Sequence, residues 1–307
     1  LGAKYVQGAV LPFPISGDTS VSQREDLQKL LVDTLLESGE ELIAGLDRRA
    51  ADVLLLANKK LQAEITDALA QVILRNTASD KYRDEIVESR REYPRSYVMR
   101  PVEAQVTDLR SIFPSLGPCM EKLARRAIPA GPEAWFAIPR WQAVARTYGE
   151  AVELALDALA RRRRFSHRIQ GRTGPEHLRQ SERALLAESA LASQQPHQDI
   201  YVVAAQFGRR HRGASARRAR VAMASHEFGL GVFAVACMLL THPERLANDQ
   251  TLMVDCSGDE YSIRGDSTFD RVPLFDFDLS GIEFSIFYED RAWNIWGTPS
   301  GFLYRTS

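Results

Sequence analysis

The chain has no apolar run long enough to cross a membrane. Its longest, Val232 to Leu240 (VFAVACMLL), stops after nine residues, and a spanning helix needs about twenty. Nor does it open on a charged-then-apolar leader, so no secretory signal is read and a cytoplasmic location with no membrane partner is the expectation. Cysteine is scarce: Cys119, Cys237 and Cys256 are widely spread and form no CxxC pair. That excludes a zinc ribbon, argues against a disulfide framework and fits a reducing compartment. Catalytic motifs are missing too. There is no GxSxG, and His226-Glu227 begins like a zincin but has Leu230 where the second histidine belongs. No internal repeat or low-complexity tract appears.

Lysine is absent from residues 157–220, and that absence marks the most distinctive feature of the sequence. The segment carries 14 Arg against 5 Asp/Glu, a net of +9. Residues 1–156 are nearly balanced, with 20 basic and 22 acidic side chains, and residues 221–307 hold 5 Arg against 13 Asp/Glu, a net of −8. The total of −1 over 307 residues therefore hides a polarised chain. Hydrophobic residues at 45% and charged residues at 26% are the composition of a globular protein with a sizeable core.

Gly and Pro punctuate residues 1–20, which read as an extended arm. Ser22 and Glu25 form a capping-box pattern before a first helix that Gly39 and Gly45 break. A second helix is expected from about Arg48 to Arg75 and a polar one from Asp80 to Arg91. The aromatic stretch Trp135 to Trp141 leads into the clearest amphipathic helix, with apolar residues from Trp141 to Leu159 at spacings of three and four. Residues 166–183 read as a loop, closed by a short helix from about Glu182 to Ser193. Asp199 to Phe207 fits either a strand or a helix face. Ser215 is an N-cap for a helix to about Phe228, and Val232 to Leu240 is a buried helix stopped by Pro243. From Thr251 onward short β-prone runs alternate with Gly, Asp and Ser. The expected class is α+β: a mainly helical N-terminal and central part, with a small antiparallel sheet of three to five strands at the C-terminus. The expected regions are 1–133, 134–248 and 249–307, with one compact unit as the alternative.

Two stretches could carry function. The basic one holds Arg161, Arg162, Arg163 and Arg164, then Arg209, Arg210, His211, Arg212, Ser215, Arg217 and Arg218. Arginine suits bidentate phosphate contact, so DNA or RNA, or another polyanion, is the expected partner of a non-enzymatic protein. Gly208 to Ser215 matches a P-loop frame except that Ala214 replaces its lysine, and an ordinary solvated or self-paired basic face is the plain alternative. The acidic stretch offers Asp255, Asp259 and Glu260, which as clustered carboxylates could take a divalent metal or act on an anionic substrate. Asp and Gly there also serve as plain turn formers. A third reading is a homo-oligomer whose basic middle meets a neighbour's acidic end. The pairs Trp135/Trp141 and Trp293/Trp296 read as core.

Overall fold

A computed structural model describes residues 81–278 and 281–304, with scattered positions between 29 and 65. The chain divides into the units Leu1–Leu74 and Arg75–Ser307. The expected N-terminal arm and the capping box at Ser22 lie outside the described residues. Gly39, expected to break a helix, is itself helical.

The second unit is built from two sheets and five α-helices among the described residues. Helix α1, Val102–Ile112, buries Val102, Gln105, Val106 and Leu109 at helical spacing. Strand β1, Ala134–Pro139, is buried at every position. Helix α2, Tyr148–Arg162, starts at a capping box in which Thr147 and Glu150 satisfy each other's backbone N–H groups. Strands β2, Phe165–His167, and β3, Leu178–Gln180, follow, then helix α3, Glu182–Gln194, capped by Ser181. Strand β4, Ile200–Gln206, is again buried throughout. Helix α4, Ala216–Ala222, is short. Strand β5, Glu227–Gly229, leads into helix α5, Val232–Thr241, which is apolar all round and almost wholly buried. Strands β6 (Met253–Asp255), β7 (Asp259–Tyr261), β8 (Arg271–Asp278), β9 (Gly281–Tyr288), β10 (Trp296–Gly297) and β11 (Ser300–Phe302) complete the unit.

The first sheet has the order β1-β4-β11-β5 and is antiparallel throughout. Gly301, near the end of the chain, sits between Ala205 of β4 and Phe228 of β5. The second sheet runs β10-β6-β8-β7-β3, with β9 beside β8 and β2 parallel to β9. Helix α5 packs on α2, α1 and β1 at the centre of the core.

A helical first two-thirds with a sheet confined to the C-terminus is therefore overturned. Strands begin at Ala134 and helices are the minority. The reason lies in burial. β1 and β4 are covered on both faces, so their sequences are continuous apolar runs without the alternation that marks a half-buried strand. The stretch 166–183, read as a loop, contributes most of β2 and all of β3 to the second sheet. Residues 81–91 form a turn and then extended chain rather than a polar helix. Their backbone is bound to the basic segment: Ser215 donates to the Glu85 carbonyl at 3.0 Å and Val87 to that of Gly213 at 2.9 Å. Helix α4 ends at Ala222 and not near Phe228, because the Arg183 guanidinium takes the carbonyls of Arg220, Met223 and Ala224. That satisfies the helix end from outside.

Candidate functional site

The basic segment folds inward. Gly208, at φ +121°, turns the chain out of β4 with its Cα against Gly297, a conformation suited to glycine. Arg210 and His211 both reach the fully buried Glu227, at 3.3 and 2.7 Å. Burial alone would raise the Glu227 pKa, but the charge and hydrogen bond of His211, with Arg210 and the Ser300 hydroxyl, hold it down at about 2. Arg209 pairs with Glu92 at 3.0 Å, and Arg212 pairs with the same carboxylate. Ser215 caps α4 by accepting from Arg218 N at 3.0 Å and donates to Glu85 at 2.6 Å. Arg217 donates to both Glu85 oxygens, at 2.8 and 2.9 Å. Arg218 is buried, with a bond of 2.9 Å to the Lys81 carbonyl. Arg220 pairs with Glu289 and donates to the carbonyls of Ser257 and Asp259.

The four arginines at the end of α2 separate. Arg163 donates to the carbonyls of Pro243 and Leu246, both at 2.7 Å, and fastens α2 to the turn after α5. Arg161, Arg162 and Arg164 are exposed, and none forms an ion pair with a described residue.

The acidic candidates do not converge. Asp255 is buried and accepts from Thr298 at 2.9 Å. Asp259 accepts from the Tyr148 hydroxyl and from Val232 N, both at 2.7 Å, and so caps α5. Glu260 points elsewhere and binds Arg179 at 2.8 Å. Among the described residues no group of three or more His, Cys, Asp or Glu is placed to hold a metal. Burial pushes Asp255 up to about 6 and Asp259 up to about 7, against their hydrogen bonds and the Arg220 charge.

The most site-like feature lies next to Asp259. A small cleft, part of it open to solvent, is bounded by the end of β1, β4, α3 and the entry to α5. Its walls are mostly apolar, with Tyr201, Phe228, Leu230, Phe233 and Leu191. Four polar groups break them: Arg140, Gln180, Glu188 and Tyr148. Arg140 ends β1. Its backbone N–H donates to the Asp199 carbonyl at 2.8 Å, which fixes the position of the residue. Its Nε is buried without a hydrogen-bond partner, and its guanidinium forms no ion pair among the described residues. Glu188 accepts from Gln142 at 2.6 Å, Gln180 at 3.1 Å and Trp141 Nε1 at 3.3 Å. Both charges act on the Tyr201 phenol, whose pKa is raised by burial, lowered by Arg140 and raised again by Glu188.

None of the cleft's polar residues was among the sequence candidates. The signal available was slight: an arginine between proline and tryptophan (Pro139-Arg140-Trp141) where an apolar run ends. Glu188 is one carboxylate in an unremarkable helix, and its neighbours in the cleft come from elements far away in sequence.

No protein-family model, no curated protein and no solved structure matches this chain.

Proposed function

We propose that the unit Arg75–Ser307 binds a small organic anion in this cleft, with the anionic group on Arg140 and an apolar body among Tyr201, Phe228 and Phe233. The carrying observation is the state of Arg140. A guanidinium with a buried, unpartnered Nε in a largely apolar cleft is costly, and a ligand carboxylate offsets that cost with bidentate, charge-assisted bonds. The aromatic walls supply the remaining affinity through burial. The test is calorimetric titration of 3-phenylpropionate into the protein and into Arg140→Gln. A charge-assisted bond is worth about 1.5–3 kcal/mol, so the variant is expected to bind about ten-fold to a hundred-fold more weakly. Equal binding by both proteins overturns the reading.

A second reading, binding of DNA, RNA or another polyanion, is favoured by the exposure of Arg161, Arg162 and Arg164 without ion pairs among the described residues. In this reading they neutralise phosphates with little sequence readout. The paired arginines 209–220 would contribute less, since their charge already meets carboxylates of the same chain. Replacing the three exposed arginines by alanine is expected to abolish retardation of nucleic acid at low salt. A wild-type protein that retards none ends this reading.

A further inference from the structure

The reading of the cleft as an anion site leaves Glu188 unexplained. Its place is set by α3, whose residues Ala184, Glu188 and Leu191 line the cleft together. Three neutral donors, Gln142, Gln180 and Trp141 Nε1, orient its carboxylate. None of them cancels its charge. A carboxylate has about four lone-pair sites, so three bonds leave room for one more donor. Arg140 stands on the wall of the same cleft but forms no ion pair with Glu188. One largely apolar cleft thus carries a cation and an anion that do not pair with each other.

A simple organic anion matches only half of that arrangement, because a carboxylate on Arg140 does nothing for the Glu188 charge. A ligand with a carboxylate and an ammonium on one carbon offers a partner to each. Resting on the anion-site reading, we infer that the ligand is a free α-amino acid with a large apolar side chain, its carboxylate on Arg140, its ammonium on Glu188 and its side chain against the aromatic wall. A peptide would fit less well, since one of its two termini would lie far from the first residue's side chain.

The experiment titrates the full chain with L-phenylalanine, with 3-phenylpropionate, which lacks the ammonium, and with phenethylamine, which lacks the carboxylate. Phenylalanine is expected to bind about ten-fold or more tightly than either analogue, the worth of one charge-assisted contact. Glu188→Gln, which keeps an amide acceptor for the neighbouring donors, is expected to bring phenylalanine down to the level of 3-phenylpropionate. Arg140→Gln brings it to the level of phenethylamine. A Glu188 with a merely structural role would leave the ratio of phenylalanine to 3-phenylpropionate unchanged in Glu188→Gln, and that result overturns the inference. So does wild-type protein that binds 3-phenylpropionate as tightly as phenylalanine, although Arg140-dependent binding would then still uphold the anion site. If neither carboxylate binds, both the inference and the anion-site reading fall.

Discussion

Glu227 and Asp259 are both fully buried carboxyls, yet their surroundings drive them in opposite directions. Glu227 meets Arg210, His211 and Ser300, and its pKa falls to about 2. Its contribution to stability is therefore complete above the unfolded value of 4.5 and is lost as the pH drops toward 2. Glu227→Gln leaves Arg210 and His211 buried without their counter-charge. Breaking such a pair from one side costs about 3–5 kcal/mol, which urea denaturation at pH 7 should register. Asp259 has hydrogen bonds but no ion pair among the described residues, and burial wins, at about 7. The folded state then holds a proton that the unfolded state has released, so stability falls as the pH rises from about 4 to about 7 and is level beyond. Asp259→Asn keeps an acceptor for Tyr148 and Val232 N and removes the cost of ionisation. It is expected to stabilise the protein at pH 8 by up to roughly 4 kcal/mol, at 1.36 kcal/mol per pKa unit, and to make no difference near pH 4. Denaturation midpoints of both proteins at the two pH values check this. A gain at pH 4 as large as that at pH 8 would place the effect in packing.

Among the elements, one tight junction is the crossing of the β5–α5 connection over the turn between β6 and β7. A Cβ on Gly258 would collide with backbone atoms of Gly229, Leu230 and Gly231, which cannot rotate away as a side chain could. Gly258→Ala is therefore expected to cost about 3 kcal/mol, the upper part of the usual range for overpacking, read as a lower urea midpoint. A change below about 0.5 kcal/mol, the scale of surface substitutions, would mean that the crossing has slack. This junction shows why the sequence was only partly legible. Elements that rest on local signals were readable: α3 over about Glu182 to Ser193, the start of α4 from its Ser215 cap and α5 as a nine-residue apolar run closed near Pro243. The helix over Tyr148–Arg162 was also visible, although its true start is the Thr147 capping box and not Trp141. Strands that depend on distant partners were not. β2, β3 and β5 are three residues each, too short to show a period, and β1 and β4 lack alternation because both faces are covered. The candidate site was lost for the same reason. Arg140 and Glu188 become neighbours of one cleft only through β1, α3 and β4, while the conspicuous arginines at 209–220 were noticed for a charge that Glu85, Glu92, Glu227 and Glu289 already answer.

At the level of the whole unit, the last strand holds the fold together. β11 lies between β4 and β5, so the first sheet is incomplete without residues 300–302, and β10 adds an edge to the second sheet beside β6. Residues 298–300 complete one buried polar network. Thr298 donates to Asp255, the Thr298 carbonyl accepts from Gln206, and the Ser300 hydroxyl joins Gln206 to Glu227. Pairings this far apart in sequence carry a large loop-closure cost before they are rewarded. They should therefore form late and together with the rest of the core. A chain ending at Trp293 would lack both strands. It would leave β4 and β5 with open edges, and Gln206, Glu227 and Asp255 without these partners in a dry interior, where each orphaned group costs about 1–3 kcal/mol. Such losses add to the missing sheet contacts and approach the 5–15 kcal/mol that holds a typical domain folded. The truncated chain is expected to show no cooperative urea transition by tryptophan fluorescence, with Trp135, Trp141 and Trp293 still present as probes. A sigmoidal transition with an unchanged slope would mean that as much surface is buried without the last strand as with it, and the closing role of β11 would be refuted.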